Sequence, residues 1–384
     1  MKKFLAACTL LFGFAGIVEG QLATLAPVTL DLMPVPSSVV LHDGSLVLDS
    51  AFHIAVAGTG EPRLMRAVER FIPRLETRTG IAVVHDISKD TAGAALIIRC
   101  DAAGQQVQGI DENESYSIES TPSSVTLHAA TTVGVIRGLE TLLQLVSGNA
   151  KNYVIPSVSI TDAPRFRWRG LLVDVSRHFE PVSSVERTLD GMSAVKLNVL
   201  HWHLSDDQGI RVESHRYPKL QRMGSDSLYY TQAQIREVVA YARDRGIRVV
   251  PEFDMPGHSS AWFVGYPQYA SAPGPYSIQR RWSGYHGVFD PTRASVYRFI
   301  DGFVGEMSSL FPDAYWHIGG DEVNPTQWKQ SPRIQKFMAA HHLADNAALQ
   351  AYFNQRLSAI LTRHHRRMIG WDEILHPDLP RTTV

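Results

Sequence analysis

Two carboxylates, Asp321 and Glu322, stand side by side directly after Gly319-Gly320 in the run WHIGGDEVNP, residues 316–325. On a regular strand, neighbouring side chains point to opposite faces, and the two acids would part. The glycines let the backbone leave strand geometry, so both carboxylates can enter one cleft. Like charges held together raise the proton affinity of one of them. That supplies a general acid near neutral pH, which glycoside hydrolysis needs. The competing reading is an acid pair opening a helix, where the helix dipole favours negative charge.

Other residues at strand ends carry chemistry. His201 and His203 flank Trp202, and on a strand both imidazoles face one side. Such a pair at a barrel strand end can begin the metal site of an amidohydrolase, or the two rings can be hydrogen-bonded scaffold. A metal site would want a second histidine pair and an Asp; His258 and His317 are available, but not in that arrangement. Asp206-Asp207 follow and can orient a histidine or lie solvated. His258, after Pro256-Gly257 in PEFDMPGH, can cap a loop or tune a nearby carboxyl. Arg177, beside His178, offers a guanidinium fork for hydroxyl groups or a surface ion pair. Trp371 in GWDEI is core or a face for stacking on a sugar.

Strand–helix alternation from about residue 165 must position these groups. GLLVDVS, NVLHWHLSD, IRVVPEFD, AYWHIGGDE and RMIGWDEI read as five strands. Between them, helical spacing runs through 183–195, 231–245, a segment capped by Asp290 with Pro291 at its first position, and 346–362. Each strand ends in polar residues, the (β/α)8 TIM-barrel pattern in which chemistry collects at the C-terminal ends. No glycine-rich phosphate loop occurs. A closed barrel needs eight strands, so the expected architecture is an α/β barrel over 165–384, C-terminally incomplete at about five of eight strands. Before it, short strand-like runs and two helical runs, one with Leu64, Val68, Phe71 and Leu75 closed by Gly80, predict a small α+β domain over 31–155. That domain carries no nucleophile–base set and reads as a packing or substrate-flanking unit.

The formal net charge of -1 argues against a nucleic-acid or anionic-membrane partner. Lys2-Lys3, an apolar run and Gly20 have the layout of a signal peptide over 1–20, shorter than the ~20 apolar residues a membrane span needs. Export to the periplasm or the extracellular space is expected, with no span in the mature chain. Cys8 lies in that leader, leaving Cys100 without an internal partner. Stability must then come from core burial.

In family order, RGLLVDVSRHF, KLNVLHWHLSDDQG, PEFDMPGHSSAW, HIGGDEV and GWDEI resemble glycoside hydrolase family 20, the β-N-acetylhexosaminidases. The resemblance covers about 165–375, and the region before it resembles the small domain that precedes the barrel in that family. It implies an exo-acting, retaining, substrate-assisted hydrolase that removes terminal GlcNAc or GalNAc from chitin oligosaccharides or glycans. The sugar's own acetamido oxygen is the nucleophile, and neither metal nor cofactor is required. By resemblance Glu322 is the general acid and then the base, and Asp321 holds the acetamido N–H. Arg177 grips sugar hydroxyls, Asp206 and His258 support Glu322 as a relay, and Trp371 walls the acetamido pocket. The family's further tryptophans, a tyrosine and a Trp/Glu pair from strands six to eight have no counterpart here. A fragment of a longer reading frame or a truncated product is the resulting expectation. A metal amidohydrolase and a non-catalytic sugar-binding fragment are the alternatives.

Overall fold

The computed structural model describes residues 30–148, 152–281 and 287–384; the expected leader, with Cys8, lies outside them. Residues Leu32–Val384 form one compact unit, containing two sheets. Among the described residues, no helix is long and apolar enough to cross a membrane.

The first sheet runs, edge to edge, Ser38–Leu48, Tyr153–Asp162, Tyr116–Ser120, Val125–Thr131, Leu96–Ala102, Ile54–Gly58 and Ile87–Ser88. Its inner strands alternate buried and less buried positions, as with Ile118 against Glu119 and Leu127 against His128. That is the signature of a sheet covered on one face. The cover is two helices, Pro62–Thr79 and Thr132–Leu145. The first buries Leu64, Val68, Phe71 and Leu75 and ends on Gly80 in the left-handed conformation, as its spacing predicts. The sheet extends past the expected boundary at 155, because Tyr153–Asp162 pairs with two of its strands. Pro156 argues against a strand in the sequence. It is tolerated because pairing with Tyr116–Ser120 begins only at Val158, and the partner across from Pro156 follows an irregularity between Leu41 and Ser45.

The second sheet holds five parallel strands, in order Gly170–Asp174, Val199–Asp206, Arg248–Phe253, Tyr315–His317 and Arg367–Ile369. Helices Val182–Ala194, Gln232–Asp244, Ala294–Met307 and Asn346–Arg363 connect them. Thr231 caps the second helix in a full capping box with Gln234. The third begins later than expected, at Ala294. Asp290 is not its cap: its carboxylate accepts the Thr292 N–H at 3.0 Å and pairs with Arg293 and Arg333. The fourth and fifth strands are short, since positive φ at Gly319 and Gly320 turns the chain out of the sheet and a 3-10 turn, Asp372–Ile374, follows Trp371.

Strand periodicity sorts the side chains. Leu200, Trp202, Phe253, Trp316 and Met368 face the helices in one large core. On the other, concave face Val199, Val250 and Tyr315 form a small apolar base with Trp168 and Ile369. Above that base the same face carries His201, His203, Glu252 and His317 in register. The ladder slips once: His203 pairs with Glu252, but Ser205 pairs with Phe253. The extra residue reverses the alternation and turns Asp206 to the concave face beside His203.

Gly170–Asp174 has Val199–Asp206 as its one strand neighbour among the described residues, and Leu171 and Leu172 are each 40% exposed. At the opposite edge, Val384 donates to Met368 O at 3.1 Å and accepts from Gly370 N at 3.2 Å. That is the bond pattern of a parallel ladder.

The small domain touches the N-terminal ends of the strands. Arg137 donates to the carbonyls of Arg245 and Gly246, Glu114 takes Arg169 and Asn198, and Lys196 pairs with Asp162. The domain is therefore a packing unit in these contacts, at the end of the sheet opposite the residues that carry chemistry.

Candidate active site

Loops leaving the C-terminal strand ends bring the expected groups together. Gly319 and Gly320 have φ of 65° and 90°, in the region that favours glycine. A Cβ on Gly319 would fall well inside contact distance of the Asp254 carboxylate, and one on Gly320 would meet Ile374. Asp254 cannot swing aside freely, because its Oδ1 accepts the Gly320 N–H at 3.1 Å. The turn is pinned from the other side by Trp371 N to Gly319 O at 2.9 Å and Gln350 Nε2 to Gly320 O at 2.6 Å. Gly319→Ala is therefore expected to cost roughly 2–5 kcal/mol, from left-handed strain plus overpacking. Chemical denaturation measures it, and a loss below about 1 kcal/mol would contradict the assigned geometry.

Beyond the glycines, Glu322 itself has φ 47°, a conformation that costs energy for a side-chain-bearing residue and collects at functional sites. Its carboxylate is 75% exposed and lies 3.5 Å from His258 Nε2. Asp321 Oδ1, by contrast, is buried and has no hydrogen-bond partner among the described residues. A buried acceptor without a donor is costly, and an incoming N–H would satisfy it.

His258, also at positive φ, joins these acids to Asp206. Its Nδ1 lies 3.2 Å from Asp206 Oδ1 and 3.6 Å from Asp207 Oδ2. Burial alone would disfavour charge on the ring, but hydrogen bonds to Asp206 and Asp207 win and push its pKa up to about 12. Asp206 is fully buried, and burial opposes its charge too. Hydrogen bonds from His203 and His258 nonetheless hold it well below the usual carboxylate range. Arg177 closes the group, with one guanidinium nitrogen 2.6 Å from Asp206 Oδ2 and another 2.9 Å from Asp174 Oδ2. His178 beside it is 86% exposed. Asp207 is not a solvated strand end: it is buried and accepts the Ser260 N–H at 2.8 Å. Trp371 is half-buried, its ring centroid 4.8 Å from His317 and 5.7 Å from His201.

Sequence reasoning missed Glu252 and Asp254. Burial, and then the carboxylates of Asp321, Glu252 and Asp206, raise Asp254 well above the usual range against the pull of His258. Glu252 is fully buried under three imidazoles: His201 Nε2 at 2.7 Å, His203 Nδ1 at 2.7 Å and His317 Nδ1 at 3.2 Å. The available signal was parity for Glu252, whose cross-strand neighbours are His203 and His317, and position for Asp254, which follows directly after the strand end at Phe253.

Three sets of donor atoms lie within 4.8 Å of one another: His201/Glu252/His317, Asp206/Asp254/His258 and His258/Asp321/Glu322. The first best matches the metal alternative raised by the His-Trp-His run. Its 2.7 Å nitrogen–oxygen separation is shorter than the roughly 3.3 Å that tetrahedral geometry sets between ligands about 2.0–2.1 Å from zinc. His317 Nδ1 also accepts the Gly319 N–H at 3.0 Å, which occupies its lone pair. These residues fit direct polar contact with one another better than a metal ion.

The family model described as "Glycosyl hydrolase family 20, catalytic domain" matches residues 166–383, and "Glycosyl hydrolase family 20, domain 2" matches 29–163. A β-hexosaminidase of Porphyromonas gingivalis is 34% identical over 372 residues, 92% of this chain and 47% of that protein. The β-hexosaminidase α subunit of Rattus norvegicus is 41% identical over 269 residues, 69% of this chain and 50% of that one. The chain thus spans about half the length of these curated relatives. Among solved structures, the chitobiase of Flavobacterium johnsoniae superimposes with a TM-score of 0.88 at 42% identity, covering 92% of this chain and 54% of that one. An exo-β-N-acetylglucosaminidase of Vibrio harveyi, solved with N-acetylglucosamine, gives 0.78 at 28% identity, covering 92% and 56%.

Proposed function

The chain belongs to glycosyl hydrolase family 20, and from that membership we propose that it is an exo-β-N-acetylhexosaminidase acting on terminal GlcNAc or GalNAc of chitin oligosaccharides or glycans. The observation that carries this reading is Asp321 Oδ1, a buried acceptor without a partner among the described residues, one residue from Glu322. The 2-acetamido N–H of the sugar supplies the missing donor. Held there, the acetamido oxygen attacks the anomeric carbon while Glu322 protonates the departing glycosidic oxygen. Glu322 then takes a proton from a water whose oxygen bonds the anomeric carbon as the acetamido oxygen leaves it, and the two displacements retain the configuration. Arg177 binds hydroxyls of the terminal sugar, Trp371 walls the acetamido group, and Asp206 with His258 holds Glu322 in place. The barrel is a further part of the proposal: these are the first five of eight strands. That Gly170–Asp174 has one strand neighbour among the described residues, together with the ladder bonds of Val384, supports it.

A chromogenic β-GlcNAc substrate tests the reading. Hydrolysis that survives a chelator is the expected result. Loss of turnover with chelator would move the site to the metal-dependent class. A second reading, a sugar-binding unit without turnover, draws on the exposure of Glu322 and the open strand edge. Saturable GlcNAc binding without hydrolysis would favour it.

A further inference from the structure

Five charged groups stand in a row across the concave face. Glu252 Oε2 lies 2.7 Å from His203 Nδ1, and His203 Nε2 lies 3.0 Å from Asp206 Oδ2. Asp206 Oδ1 lies 3.2 Å from His258 Nδ1, and His258 Nε2 lies 3.5 Å from Glu322 Oε2. Glu252, His203 and Asp206 are buried. Both ring nitrogens of His203 therefore face carboxylate oxygens, Asp206 through a hydrogen bond and Glu252 as a close ion pair; a bare lone pair at 2.7 Å from a carboxylate would be repelled, so N–H is required at both nitrogens. Only the imidazolium has two.

The remaining neighbours of Glu252 do not change that assignment. His201 Nε2 also lies 2.7 Å from Glu252 Oε2, but that contact asks for one N–H, which a neutral imidazole supplies. His317 Nδ1 accepts from Gly319 N, and burial first, then the neighbouring rings, keeps His317 on the neutral side against the pull of Glu252. The positive charge that balances Glu252 falls on His203. Burial opposes that charge, yet the hydrogen bonds to Asp206 and Glu252 raise its pKa well above the ordinary value. Other charged or titratable groups around the row are Asp174 and Arg177 from the first strand end, His201 and Asp207 from the second, Asp254 from the third, and His317 and Asp321 from the fourth.

We infer that Glu252 is a positioning residue: it holds His203 as a doubly protonated imidazolium, which in turn fixes Asp206 and, through His258, the carboxyl of Glu322. Signs alternate along the row, so each inner member sits between opposite charges without isolating a charge in the interior. Glu252 does not touch substrate. It sits at the far end of the row, and the ladder slip after His203 is what brings Asp206 within reach of the ring. Only the last link, Glu322, rests on the proposed function; the state of His203 does not.

The test is nitrogen-15 NMR of the histidine rings from pH 5 to 9, together with hydrolysis of an N-acetylhexosamine disaccharide, whose departing sugar needs the proton. In the unaltered chain His203 should show protons on both nitrogens throughout. In Glu252→Gln it should titrate within that range, with kcat roughly ten-fold or more lower and KM little changed. Glu252→Asp, which restores the charge, should recover the doubly protonated signal and part of the rate. A His203 that titrates normally in the unaltered chain overturns the inference, and that measurement needs no variant to fold. A His203 that stays doubly protonated in Glu252→Gln overturns it as well. The expected ring states without hydrolysis would leave the charge row standing and refute the hydrolase reading instead.

Discussion

Glu322→Gln is expected to lower kcat on an N-acetylhexosamine disaccharide by about 10²- to 10⁴-fold, the span that positioned acid–base catalysis supplies. Glutamine keeps the shape of the side chain and cannot donate the proton the departing sugar needs. KM should change little, since in the proposed mechanism the group acts on the leaving oxygen and sugar recognition falls to Arg177, Asp321 and Trp371. Leaving-group ability gives a second readout. A nitrophenolate departs without a proton, so the variant's deficit should shrink on an aryl glycoside. Stability should stay within about 0.5 kcal/mol, because the carboxylate is largely exposed and its ion-pair neighbour His258 retains Asp206 and Asp207. A variant within a few-fold of the original on the disaccharide would remove Glu322 from the acid's role.

Arg137→Met is expected to be the most destabilising single change considered, at about 3–5 kcal/mol, the cost of breaking a buried ion pair from one side. Arg137 is 1% exposed. Its Nε meets Glu114 at 2.7 Å, and its terminal nitrogens reach Arg245 O at 3.2 Å and Gly246 O at 2.6 Å. Burial pushes against the charge on Glu114, and the guanidinium groups of Arg137 and Arg169 keep its pKa low. Methionine fills much of the volume but offers no donor. Glu114 loses one cation, and the Arg245 carbonyl loses a partner. The exposed pair Arg66–Asp244, which also joins the two parts of the chain, is the control: Arg66→Met should cost no more than about 1 kcal/mol. Denaturant midpoints of both variants make the comparison, and similar small losses would show that the buried arginine does not hold the interface.

Much of the site was legible in sequence because its residues sit at strand ends, where a short apolar run followed by polar residues announces a cleft. Gly319-Gly320 signalled the departure from strand geometry, and the positive φ values and the crowding by Asp254 and Ile374 are the physical reason. Thr231 and Gly80 marked helix ends through local bonding that any chain would use. What sequence could not supply was tertiary. Asp290 looks like a cap until Arg293 and Arg333 claim it. Pro156 looks like a strand breaker until the pairing around it is known. Glu252 looks like one more residue in an apolar strand until three histidines from two other strands converge on it.

The ladder slip between His203 and Ser205 has a consequence for how the second strand can vary. Three positions separate His203 from Asp206, an odd step that a regular ladder would send to opposite sides, yet the two side chains meet at 3.0 Å. Residue count in this stretch is thus a structural variable in its own right. Most substitutions at Leu204 would keep the parity, whereas losing that one residue would hand Asp206 to the helix layer and disconnect Glu252 from Glu322 with every functional side chain still present. Insertions and deletions, harmless in many loops, are here the changes that chemistry tolerates least.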